Sequence, residues 1–144
     1  MMYRVLATLV LVLFLTPASA SATSTSTAAE GLTVTAEFAL LHDGGASVVL
    51  VGEYSCGPYP DQVPSGGVID MSVNQVVNGV EVVGGGYLFP QFCDGSQQWY
   101  AVELVAYNGR FTRANARWAA SGYVLDDVGE GQTVSVPPTR IRIR

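Results

Sequence analysis

Along most of the chain apolar and polar residues alternate with a period of two, the repeat of a half-buried strand. In the first run Leu32, Val34, Ala36, Phe38 and Leu40 share one face and Thr33, Thr35 and Glu37 the other. All five apolar side chains are therefore expected inside. His42-Asp43-Gly44-Gly45 reads as a turn. A second run, 47–56, points Val48, Leu50, Gly52, Tyr54 and Cys56 inward and leaves Val49, Val51, Glu53 and Ser55 outside. Residues 57–67 hold Pro58, Pro60 and Pro64, which lack an N–H donor, so a loop is expected. The third run, 68–77, turns at Asn78-Gly79 into 80–83. Asn-Gly between Val-rich arms signals a type I′ hairpin, which needs positive φ at both residues. Gly84-Gly85-Gly86 is expected to end or bulge that arm, and 87–96 to cross one end irregularly. A run over 98–107 leads to a second hairpin signal, Asn108-Gly109. In 111–120, Ala114, Ala116, Trp118 and Ala120 share one face and Arg113, Asn115 and Arg117 the other. A last strand is expected near 132–136.

Helical periodicity is absent after the first twenty residues. Short strands with turn signals between them predict an all-β fold, an antiparallel immunoglobulin-like sandwich of about seven strands with one disulfide. The antibody order Cys…Trp…Cys is not met, because Trp99 and Trp118 both follow Cys93.

The N-terminal pattern is different. Arg4 precedes an apolar run over 5–15 and the small-residue end Ala18-Ser19-Ala20, the layout of a cleaved secretory signal. The run is shorter than the roughly 20 apolar residues of a membrane span. The expected organisation is a signal peptide over 1–20, a flexible Ser/Thr/Ala linker over 21–30, a β-sandwich domain over 31–136 and an Arg/Ile tail over 137–144. No lipobox cysteine, hydrophobic C-terminal anchor or Asn-x-Ser/Thr sequon is present. A secreted, extracellular monomer with no membrane attachment after signal cleavage is expected. In that compartment Cys56 and Cys93 are expected to pair.

Charge sharpens this picture. Twelve carboxylates outnumber seven arginines, there is no lysine, and the net charge is −5. Nucleic acid is not an expected partner, since phosphate affinity comes from Lys and Arg. The two signs are also segregated. Between 21 and 109 there are only carboxylates, whereas Arg110, Arg113, Arg117, Arg140, Arg142 and Arg144 all come later. One reading pairs late arginines with early acids across strands. The other is an arginine face for an anionic polymer or acidic partner.

At Gly52-Glu53-Tyr54-Ser55-Cys56, Cys93-Asp94-Gly95 with Trp99 beyond, and Gly109-Arg110-Phe111-Thr112-Arg113-Ala114-Asn115-Ala116, the chain resembles a family of small secreted actinobacterial proteins carried as a domain of unknown function. The resemblance spans 32–120. It departs in the longer Pro-rich loop after Cys56 and in the arginine-alternating end. It implies a two-cysteine β sandwich and secretion, and supplies no catalytic residue.

Chemistry is sparse. His42 beside Asp43 has the elements of a base and its orienter, without a recognisable nucleophile motif. Glu53, Glu81 and Glu103 fall on strands, and glycoside hydrolysis would need two of them about 5–10 Å apart in a cleft. A lone His42 with two cysteines makes no metal set, and no cofactor is expected. Trp118 among alanines reads as core. Tyr59, Tyr87, Phe92 and Trp99 read either as an aromatic binding platform at one end or as a satellite core under the long loop. With Arg110, Arg113 and Arg117 they form the expected binding surface. The functional expectation is a non-catalytic binding or envelope-associated module with a cell-wall glycan or an extracellular protein as partner. The alternative is a small extracellular protease inhibitor presenting residues 58–64.

Overall fold

The alternating runs form seven antiparallel strands in a computed structural model that describes residues 31–144. The signal and linker expectations lie outside the described residues. The strands are β1 (Thr33–His42), β2 (Ser47–Ser55), β3 (Gly66–Val77), β4 (Val80–Leu88), β5 (Gln98–Ala106), β6 (Asn115–Leu125) and β7 (Gly131–Arg142), with one 3₁₀ turn at Asp43–Gly45. Their order in the sheet is β1-β2-β5-β4-β3-β6-β7.

Two seams are thin. β4 and β5 share only the pairs Gly84–Ala106 and Gly85–Val105. β1 meets the chain end through a parallel bridge between Ala39 and Ile143, with Leu41 N donating to Arg144 O and Arg144 N to Ala39 O, both at 2.9 Å. The sheet thus rolls almost shut into a flattened barrel or sandwich. One wall is three-stranded, β1-β2-β5; the other is four-stranded, β4-β3-β6-β7. Between them Val48, Leu50, Ile69, Val73, Leu104, Phe111, Val124 and Ile143 are fully buried, each such side chain contributing about 1.5–3 kcal/mol. Trp118 lies in the core between the small inward residues Ala116 and Ala120. Asn78 and Gly79 both have positive φ, 52° and 80°, as the hairpin requires.

Several local expectations are overturned. In β1 the register passes from Ala36–Gly52 to Phe38–Val51, leaving Glu37 as an extra residue. This bulge reverses the alternation, so Ala39 goes inside while Leu40 turns out. Gly52 permits it, because a Cβ there would collide with the Thr35 carbonyl oxygen. The buried Tyr100 hydroxyl donates to that same oxygen at 2.7 Å, and burial raises its pKa. Ser55, expected outside, is buried and shares a 2.7 Å hydrogen bond with Thr33.

The glycine triplet does not end β4. The strand runs through it because its missing side chains leave room. A Cβ at Gly84 would press on the Phe111 ring, at Gly85 on the Tyr107 hydroxyl, and at Gly86 on the Glu103 carbonyl oxygen. Asn108-Gly109 makes no hairpin, since β5 and β6 lie in opposite walls and do not pair. Asn108 instead extends the edge of β4: its Oδ1 accepts from Val83 N at 2.9 Å and its Nδ2 donates to Glu81 O at 2.8 Å. The crossover is tied down by Gln75. This buried amide donates to Thr112 O at 3.0 Å and accepts from Thr112 N at 2.8 Å. Residues 137–144 are likewise no tail. After a register shift at the prolines, Arg140 pairs with Arg117 and Ile141 with Ala116, and burial of Ile141 and Ile143 holds the chain end in the sheet.

Cys56 and Cys93 are bonded, with Cα atoms 4.5 Å apart and a sequence separation of 37. A loop of that length corresponds to about 3–4 kcal/mol of stabilisation on the chain-entropy model.

Candidate functional site

Directly opposed residues of an antiparallel pair share a face, so the register defines what each wall shows to solvent. On the three-stranded wall the outward rows are Leu40–Val49–Glu103, Phe38–Val51–Ala101 and Thr35–Glu53–Trp99. Five of these nine side chains are Leu, Val, Phe or Trp. The β1 bulge creates this surface, because it turns Phe38 and Leu40 outward beside Val51 and Val49. The loop beyond β4 adds more rings. Phe89 is 58 % and Phe92 55 % exposed, beside Trp99 of β5 at 63 %; Tyr87, on β4 opposite Asp70, instead faces outward on the four-stranded wall, its ring 6.4 Å from that of Phe89. Phe89 was missed from sequence because nothing in Leu-Phe-Pro separates an exposed ring from a buried one. The loop is held firmly: the buried Tyr54 hydroxyl accepts from Gln91 N at 3.1 Å and Phe92 N at 3.4 Å.

Tyr59 does not belong with them. It is buried, its hydroxyl reaching toward Val124 O at 3.5 Å, and burial followed by the charge of Asp126 raises its pKa. Here the satellite-core reading holds. Tyr59 N donates to Cys93 O at 2.7 Å, Gln62 N to Tyr59 O at 3.0 Å and Cys93 N to Gln62 O at 2.7 Å. Residues 58–64 are thus folded back as a turn against the disulfide and offer no extended segment of the kind a protease inhibitor presents.

His42 pairs across strands and not with Asp43. Its Nδ1 lies 3.1 Å from Ser47 Oγ and 3.2 Å from Glu103 Oε1, while Ser47 Oγ donates to Glu103 Oε1 at 2.6 Å. Serine, histidine and carboxylate are together, but a triad needs serine and acid on different imidazole nitrogens. Here both meet the same one, the serine proton goes to the acid, and Ser47 is buried. The arrangement holds a carboxylate ionised. Glu103 has a lowered pKa, first from the Ser47 hydrogen bond and then from the His42 bond and charge. Glu53 and Glu103 are four register positions apart along neighbouring strands, about 13 Å at strand rise, and Glu81 faces outward on the other wall. The three carboxylates do not converge. Among the described residues no group of three or more His, Cys, Asp or Glu is placed to hold a metal, and no helix is long and apolar enough to cross a membrane.

The arginines separate. Arg110 Nη1 donates to Asp43 O at 3.4 Å and Gly44 O at 3.1 Å, clamping the 3₁₀ turn. Arg113 precedes β6 and is exposed. Arg117 lines an open depression of about 340 Å³ on the four-stranded wall together with Arg140. Arg140 was missed because the Arg-Ile-Arg-Ile-Arg end was read as a tail, although its period of two is that of a strand. The cross-strand pairing of arginines with acids is not found: the ion pair within 4.0 Å among the described residues is His42–Glu103.

No protein-family model matches the chain, and no curated protein or solved structure matches it.

Proposed function

We propose that this chain is a secreted, non-catalytic binding module of immunoglobulin-like architecture that docks an extracellular protein on the outer face of β1-β2-β5. Read as A to G, its strands follow the immunoglobulin order, with the fourth strand kept beside the third. The disulfide suits an oxidising compartment, and the proposal retains the resemblance to small secreted actinobacterial proteins.

The observation behind the docking face is its continuity. Scattered apolar residues are ordinary on a surface, but adjoining rows of them across three strands mark an interaction site. A protein suits it better than a sugar, because Leu40, Phe38, Val49, Val51 and Ala101 offer no hydrogen bonds to hydroxyls. The carboxylates among these rows are Glu53 and Glu103, and the nearby cation, Arg144, is stacked on the Phe38 ring with Cζ 5.5 Å from its centroid. The fitting partner is therefore apolar with a basic rim. A second copy would bring the same two acids against each other, which fits a monomer.

Photo-crosslinkers at Ala101 and at Ala119 of the opposite wall, introduced in the producing cell, test this. A discrete protein adduct is expected from position 101 alone, and its loss on Val51→Arg. Equal labelling from both positions, or a glycan adduct from 101, would overturn the proposal.

A further inference from the structure

The opposite wall is built on other chemistry. Arg117 of β6 stands directly across from Arg140 of β7, and the next pair on that face is Asn115–Arg142. Opposed residues have Cα atoms about 4.5–5.5 Å apart, and like charges so placed repel. Neither arginine forms an ion pair within 4.0 Å among the described residues. Glu81, which lines the same depression, is engaged by Asn74, whose Nδ2 donates to Oε1 at 3.1 Å. The fold therefore sets Arg117 and Arg140 against a single carboxylate in the same hollow, with no ion pair between them within 4.0 Å among the described residues.

A second depression of about 360 Å³ follows along the same strands, lined by Asp70, Ser72, Ser121, Ser135 and Tyr107. Ser72 and Asn74 are alternate residues of β3, so the two hollows succeed one another on one face. The first presents two guanidinium groups, amides and the Glu81 carboxylate; the second presents hydroxyls, a carboxylate and an aromatic ring.

We infer that this face binds an anionic polysaccharide lying along β3 and β6. Arg117 and Arg140 take a carboxylate or sulfate of the chain, where the planar guanidinium gives paired, charge-assisted hydrogen bonds. Asp70, Ser121 and Ser135 take sugar hydroxyls one unit further on, beside the Tyr107 ring. The spacing of charge selects this class. A polymer with a phosphate at every unit would meet Asp70 and Glu81 as well as the arginines, and the chain's net charge of −5 gives no general attraction for polyanions. A glycan with spaced anionic groups satisfies both hollows.

The test is titration of the purified chain with hyaluronate, whose carboxylates stand on alternate sugars, neutral dextran and single-stranded DNA at about 50 and 200 mM salt. Hyaluronate is expected to bind, more weakly at the higher salt; dextran and DNA are not. Arg117→Gln and Arg140→Gln should each weaken binding about tenfold. Arg113→Gln, outside the depression, should change it less than about twofold, and Val51→Arg should leave it unchanged, which separates this site from the apolar wall. Both arginines are exposed, so the variants keep the fold, checked by circular dichroism. Absence of hyaluronate binding at about 50 mM salt, indifference to both arginine changes, or equal binding of DNA would overturn the inference.

Discussion

The two walls share one core and one alternation rule, yet turn opposite chemistry outward. On β1-β2-β5 the exposed rows are apolar, with Glu53 and Glu103 as their acids. On β3-β6-β7 they are mostly polar, with Asp70, Ser72, Asn74, Arg117, Ser121 and Arg140 outward and Val76 and Tyr123 as their exposed apolar members. The difference shows where selection for folding ends. Inward positions on both walls are filled mainly by the same few apolar residue types, and the polar exceptions, Gln75 and Ser55, are hydrogen-bonded. Outward positions are free of that demand, so exposed rings on one wall and opposed arginines on the other are not explained by stability. Like charges facing each other on paired strands cost stability, and exposed large rings add little to it.

Perturbations can separate the walls. The largest effect is expected at the disulfide. Replacing both cysteines by Ala should remove about 3–4 kcal/mol of unfolding free energy, read from urea melts. In the folded fraction it should loosen the Phe89–Phe92 loop while the Arg117–Arg140 register keeps its amide protection; equal loss of protection on both walls would argue against independent faces. Next, Gln75→Leu removes the buried amide that fixes Thr112 at the entry to β6. It should cost about 1–3 kcal/mol and shift amide signals near Asn115 and Arg117, leaving those of Trp99 in place.

A smaller effect has the opposite sign. Arg140→Gln relieves the repulsion with Arg117 and should stabilise the chain by about 0.2–1 kcal/mol at low salt, a gain that fades as salt is added. No gain would mean the arginines are already balanced. The smallest effect concerns Glu103. Its pKa is lowered in the folded chain, so its contribution to stability is complete above the ordinary carboxylate range and disappears as pH falls through the lowered folded value. Ser47→Ala removes the leading cause and should raise the Glu103 pKa toward its ordinary value, measured by carboxyl-carbon NMR titration. An unchanged midpoint would assign the shift to His42 alone.

Much of this was legible before the structure. The inward set Val48, Leu50, Tyr54 and Cys56, the positive-φ turn at Asn78-Gly79, Trp118 as core and the Cys56–Cys93 bond all follow from local patterns, and the structure contains them. What failed did so for one reason. The Glu37 bulge, the passage of β4 through three glycines, the use of Asn108 as an edge cap and the joining of residues 137–144 to β6 each depend on a partner distant in the chain. The candidate sites divide in the same way. That one of the adjacent Trp99 and Tyr100 points outward follows from strand alternation, but that it is Trp99, like the exposure of Phe89 and the burial of Tyr59, was decided by the register.

By itself, then, the order of residues determined the strand class, the spacing of turns, the covalent staple and which side chains alternate, because these rest on backbone sterics and a period of two within each run. Tertiary structure alone decided which alternate side faces solvent after the bulge, that Arg117 meets Arg140, and that His42 turns to Ser47 and Glu103. Strand register is set by contacts between segments tens of residues apart, and a one-residue slip exchanges inside for outside.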